Sequence, residues 1–261
     1  MQYGVCIDPE LAPPLAEAGF DFIELHVQNH LKTTEADDQA FLDELVRIKG
    51  AALPATAANC FVPGDLKITG PEVNWTALEA YVKRVFERAQ AASVQTIVFG
   101  SGGARRIPDG FDREAAWEQL VRFGKLIGPL AAPHDVMVVV EPLNQQECNV
   151  LTSVGESGRY VRAVDHPNVR LLVDAYHWGI DDHDFEALVA NAELLRHAHI
   201  ATVDHRLPPG FEPCAFGDFF RALHIGGYDG PISIEAKWDD IAQQAAPAYQ
   251  ALTALAQAAA G

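Results

Sequence analysis

The sequence predicts an α/β fold closed into a (β/α)8 barrel, with residues 1–261 forming one domain. Three observations lead there. Eight short apolar runs alternate with longer amphipathic stretches from one end of the chain to the other. Most of the runs lack a two-residue alternation, as in Val136-Met137-Val138-Val139-Val140, which is how strands covered on both faces of a parallel sheet read. No stretch resembles a linker rich in Gly, Ser or Pro, and 261 residues suit eight βα units in one body. The rival is an open, doubly wound sheet, but no glycine-rich phosphate turn follows the first run.

The predicted strands are Tyr3–Ile7, Phe20–Val27, Ala52–Ala57, Thr96–Phe99, Val136–Glu141, Val169–Asp174, Leu194–Ile200 and Ile232–Glu235. A short, proline-bearing helix near Pro9–Ala18 follows the first. The helix over Glu35–Lys49 sets Phe41, Leu42, Leu45, Val46 and Ile48 on one side and stops at Gly50. Asn74–Ala92 repeats Leu78, Tyr81, Val82, Val85 and Phe86 at helical spacing, and Arg113–Ala132 does so with Trp117, Leu120, Val121 and Leu126. Further helices are expected over Val154–Val164, Asp184–Ala192, Asp218–Ile225 and Asp239–Ala260, the last kinked or restarted at Pro247.

Lys plus Arg number 19 against 36 Asp plus Glu, a formal charge of −17. A field of that sign repels phosphate backbones and anionic lipid, so no nucleic-acid or membrane partner is expected. Cys6, Cys60, Cys148 and Cys214 are scattered, without a CxxC pair. The opening segment carries Asp8 and Glu10 and lacks a basic, then apolar, leader pattern. No apolar run approaches the ~18 residues of a membrane helix. A cytoplasmic protein with reduced thiols is expected.

In such a barrel the chemistry lies at the C-terminal ends of the strands. The fifth run ends in Glu141, the sixth in Asp174 with His177 three residues on, the seventh near His199 and the eighth in Glu235. The separations of 33, 25 and 36 residues are each about one βα repeat. Three carboxylates converging on one rim repel one another unless a cation sits among them. Oxygen-rich ligation with one imidazole suits one divalent ion, Mn²⁺ or Mg²⁺ first, with Co²⁺ or Zn²⁺ able to replace it. Such an ion bound to a carbonyl and an adjacent hydroxyl oxygen stabilises a developing enediolate. Glu141 and Glu235, from strands on different sides of the mouth, are the candidate acid–base pair.

The segments VVVEPLN, LLVDAYHW, HAHIA and GYDGPISIEAKW, with FIELHV and TIVFGSGGARRIPDGF less specifically, resemble the xylose-isomerase-like TIM-barrel superfamily of sugar isomerases and epimerases. The resemblance to its ketose 3-epimerases and hydroxypyruvate isomerases implies that Glu141, Asp174, His199 and Glu235 ligate one divalent metal. It implies further that Glu141 and Glu235 exchange protons with substrate and that His177 contacts it. Arg206 is the candidate for binding substrate hydroxyls, with His205 competing for that place. The implied activity is isomerisation or epimerisation of a small ketose, sugar phosphate or hydroxy-keto acid through a metal-stabilised cis-enediolate. The implied partner is a small carbohydrate, and the implied assembly a homodimer or homotetramer.

Rival readings are a metal-dependent dehydratase of the inosose or 3-dehydroshikimate type, an endonuclease IV-like enzyme, and a non-catalytic sugar-binding barrel. The second needs further histidines from earlier strands, where this chain has Ala57-Ala58-Asn59 and Phe99-Gly100-Ser101. Weaker signals remain. The Gly100–Arg106 loop reads as a flexible basic cradle for a phosphate or carboxylate, or as a surface loop whose arginines pair with acids. Phe61 and Trp178 wall the pocket or pack the core. Glu24 and His26 end the second strand, as site support or as structural groups. Lys237 and Trp238 shape the pocket or cap a helix.

Overall fold

The computed structural model describes residues 1–34 and 38–259. The strands are β1 (Gln2–Cys6), β2 (Phe22–His26), β3 (Ala55–Asn59), β4 (Thr96–Phe99), β5 (Met137–Val140), β6 (Val169–Asp174), β7 (Leu195–Ile200) and β8 (Pro231–Ile234). Each pairs in parallel with the next, and β8 closes on β1 through Gly4↔Ser233 and Val5↔Ile234. The outer helices are α1 (Pro13–Ala18), α2 (Asp38–Lys49), α3 (Trp75–Ala92), α4 (Arg113–Ala131), α5 (Val154–Val164), α6 (Phe185–Asn191), α7 (Gly217–Ile225) and α8 (Ile241–Ala258). Five helix starts are fixed by side-chain caps: Asn74, Asp112, Ser153, Asp184 and Asp240 each accept from a backbone N–H in the first turn.

The large core lies between the strands and the helices, and a small apolar cluster of Val98, Val139 and Leu172 fills part of the lumen. Alternate residues of each strand face inward. At Gly4 a side chain would meet the Phe22 ring at 2.3 Å, so the bare backbone of β1 makes room for a phenyl group in the lumen.

Several expectations shift. β3 starts at Ala55 rather than Ala52, because Pro54 has no N–H to give the ladder; its carbonyl accepts from Ile23 instead. β2 gives up Phe20, Asp21 and Val27, the last of which opens a helical turn. In α2 Leu42 and Val46 are exposed, at 50% and 73%, while Phe41, Glu44 and Ile48 are buried. The buried stripe is offset because Glu44 turns inward, ion-paired with Arg47. The predicted start of this helix, from Glu35, lies outside the described residues, as does its counterpart at Ala260. α8 runs through Pro247 without restarting.

Candidate functional site

Glu141 directly follows β5, Asp174 ends β6, His199 is the penultimate residue of β7 and Glu235 directly follows β8. Each stands two residues beyond an inward-facing position (Val139, Leu172, His197, Ser233), so the pleat aims all four into the mouth. One donor atom from each lies within 4.8 Å of the other three. His199 Nδ1 is 3.3 Å from Glu141 Oε1 and 3.8 Å from Glu235 Oε2. His199 Nδ1, Glu141 Oε1 and Asp174 Oδ2 are buried and have no hydrogen-bond partner. Three unsatisfied lone-pair atoms converging on one point is the arrangement a cation satisfies, and buried polar atoms are otherwise almost always paired.

The electrostatics of the bare site agree. Burial and the facing Glu141 carboxylate, with Glu235 behind it, push Asp174 up to about 7. Burial works against a charge on His199, but Glu24, Glu235 and Glu141 outweigh it and raise that imidazole well above its ordinary value.

Glu141 packs its Oε2 against Gly100, where a Cβ would lie 2.3 Å away. The Glu235 carboxylate accepts from Asn59 Nδ2 at 2.7 Å and from the Arg206 guanidinium. Arg206 lies 4.4 Å over the Tyr176 ring, its Nη2 3.9 Å from Asp174 Oδ2 and its Nη1 3.7 Å from Glu147 Oε1. His205 does not compete for this place; it is exposed and bonded to Glu212. His177 accepts from the Asn144 backbone N–H at 3.2 Å and its amide at 2.9 Å, both on Nδ1, so the proton sits on Nε2. Burial is the main reason its pKa falls to about 4. Asn59, Glu141, Glu147, His177, Arg206 and Glu235 line a cavity of about 280 Å³ together with Gln28, Cys60 and Leu143. A larger one, about 510 Å³, lies at the other end of the barrel between Ile48–Ala55 and Ala92–Gln95, far from these groups.

The Gly100–Arg106 segment departs from both expectations. It is a cross-linked wall: Gly102–Arg105 form a helical turn, Ser101 Oγ accepts from Val62 N, and Thr69 Oγ1 donates to Arg106 O. Arg105 is fully buried and gives both Nη groups to the carbonyls of Phe99, Glu141 and Leu151, so it is a structural cross-link and not a surface cation. Phe61 is a packing residue among Phe86, Phe99 and Phe123, and Trp178 packs on Phe219. The Lys237 backbone N–H donates to Arg206 O, tying the two loops together. His26 caps the turn that follows β2, whereas Glu24 is buried in the lumen and bonded to His199. Sequence reading missed Asn59 and Glu147 as site residues; the two-residue pleat, counted from Ala57, would have found the first.

Among curated proteins, the ketose 3-epimerase of Arthrobacter globiformis is 35% identical over 39% of this chain and 35% of its own length. The 3-dehydro-D-guloside 4-epimerase of Escherichia coli K12 is 30% identical over 43% of each chain. The matched stretch therefore spans well under half of these relatives. The L-ribulose 3-epimerase of Methylomonas is 25% identical over 85% of this chain and 75% of its own. Among solved structures, D-psicose 3-epimerase in the presence of D-fructose superposes with a TM-score of 0.83 at 20% identity over all of both chains. The 3-keto-D-glucoside 4-epimerase of E. coli does so with a TM-score of 0.77 at 22% identity, covering 98% of this chain and 99% of that one. Those likenesses establish the barrel. With the family model matching residues 14–258, the chain belongs to the xylose isomerase-like TIM barrel family.

Proposed function

We propose that residues 1–261 act as one domain and catalyse epimerisation or isomerisation of a small ketose or keto sugar with one divalent metal ion. The observation that carries the reading is the convergence of Glu141, Asp174, His199 and Glu235 with three unsatisfied buried atoms at its centre. These four residues would hold the ion, Mn²⁺ or Mg²⁺ by the preponderance of oxygen donors. When bound, it supplies the Lewis acidity that a weakly acidic C–H beside a carbonyl requires.

The chain's own residues move the proton. Glu141 and Glu235 rise from strands three apart around the ring, so one takes a proton from carbon and the other returns one. Return to the opposite face of the same carbon inverts it; return to the neighbouring carbon interconverts aldose and ketose. His177 holds its Nε2–H toward the pocket as a donor to a substrate oxygen. Arg206, braced on Tyr176 and Glu235, offers its guanidinium to substrate hydroxyls. The epimerase names of the relatives favour this reading over dehydration. A cytoplasmic homodimer or homotetramer belongs to the same proposal.

Incubation with Mn²⁺ and a panel of ketoses in D₂O tests it. Deuterium should enter the sugar carbon as the epimer or aldose appears. Loss of water would mark a dehydratase, and binding without exchange a non-catalytic barrel.

A further inference from the structure

Below the quartet, the lumen holds a second cluster that proton transfer does not use. Glu24 of β2, His197 of β7 and Ser233 of β8 are all buried, at 1%, 0% and 0% exposure. Glu24 Oε1 lies 2.9 Å from His199 Nε2, and Oε2 lies 2.8 Å from His197 Nε2 and 2.7 Å from Ser233 Oγ.

We propose that Glu24 is a positioning residue for the metal centre: by accepting the Nε2–H of His199 it fixes which nitrogen faces the other three ligands, while His197 and Ser233 hold the carboxylate in place from the far side. The inference rests on the metal reading above. A neutral imidazole carries one proton, and the nitrogen opposite it is the ligand. With the proton anchored on Nε2, the lone pair is on Nδ1, the atom found 3.3 Å from Glu141 Oε1. The anchor also stops the ring from turning over and strengthens Nδ1 as a donor.

The division of labour follows from geometry. One oxygen serves the ligand histidine alone, and the other is occupied by two donors. Cys6, whose Sγ lies within 4.8 Å of Glu24 and His199 donor atoms, raises the alternative of a second cation there. Such an ion would have to enter between Glu24 and the His199 nitrogen already bonded to it, which makes the hydrogen-bonded arrangement the better use of these groups.

Cobalt(II) titration of the full chain tests the proposal without turnover. Binding is read by d–d absorption and by hyperfine-shifted proton resonances. The unmodified chain should take up Co²⁺ and show one far-shifted, solvent-exchangeable N–H signal, from His199 Nε2, slow to exchange because it is bonded to Glu24. Glu24→Gln should weaken Co²⁺ binding by about 10–100-fold and lose that signal or make it exchange rapidly. His197→Gln, which keeps an N–H near the Nε2 position, should bind close to the unmodified chain, whereas His197→Leu should bind more weakly. If Glu24→Gln does not fold, the His197 pair decides. Unchanged affinity and an unchanged N–H signal in Glu24→Gln, or in His197→Leu, overturn the inference alone. An unmodified chain that takes up no Co²⁺ overturns the metal reading and this inference with it.

Discussion

Two arcs of the same ring of strands face each other across the lumen, and they are built from opposite chemistry. On the β4–β6 side, one pleat below the rim, stand Val98, Val139 and Leu172, all fully buried, with Met137 packed beneath. On the β7–β8 side the equivalent places are His197 and Ser233, joined by Glu24 from β2. The first arc gains its stability from removing apolar surface from water. The second buries a carboxylate and two imidazoles, and that is tolerable because every oxygen of Glu24 has a donor. The apolar arc keeps the ring shut, and the polar arc aims a side chain at the rim above it.

The largest effect should come from exchanging the chemistry of the arcs. Val139→Asp places a carboxylate among Val98 and Leu172 with no donor, at a cost of at least ~4 kcal/mol. The variant should be insoluble or melt far below the parent; an unchanged Tm would mean that the arc is not a packed interior. At the rim, Glu141→Gln or Glu235→Gln should lower kcat by about 10²–10⁴-fold while leaving Tm of the metal-free chain unchanged or raised, since each removes one of three repelling carboxylates. Near-normal kcat would strip that glutamate of its acid–base role.

Metal affinity should depend on pH in a direction set by the site. Binding must compete with the proton that Glu24, Glu235 and Glu141 favour on His199, and below about 7 also with the one on Asp174. Affinity should therefore rise with pH, most steeply below about 7, where Asp174 also holds a proton. Isotherms at pH 6, 7 and 8 with equal affinities would contradict the crowding of charge described here. The smallest effect belongs outside both arcs: Val46→Glu, on the exposed face of α2, should change stability by under ~0.5 kcal/mol, read as a Tm within about 2 °C of the parent.

The same contrast explains what the sequence revealed. The rim quartet was legible because each acid or imidazole interrupts or ends an apolar run at a spacing of one βα unit. VVVE and LLVD announce themselves. Glu24 was noticed but its partner was not, since nothing in FIEL indicates that a strand covered on both faces turns its charge inward toward HAH, 173 residues later. Arg105 misled for a related reason: a basic residue in a glycine-rich loop suggests an anion, yet backbone carbonyls hold both of its Nη groups, and carbonyl directions leave no trace in residue types. In α2 the apolar spacing pointed one way, and a single inward glutamate rotated the helix another.

The absence of a side chain at Gly100 constrains any reshaping of this pocket. The φ of Gly100 lies outside the left-handed region that favours glycine, so no conformational reason reserves the position for glycine. The reason is a neighbour's oxygen, 2.3 Å from where a methyl would stand. A side chain there would have to push the Glu141 carboxylate aside, so a wall that looks open to redesign is occupied by the reach of Glu141.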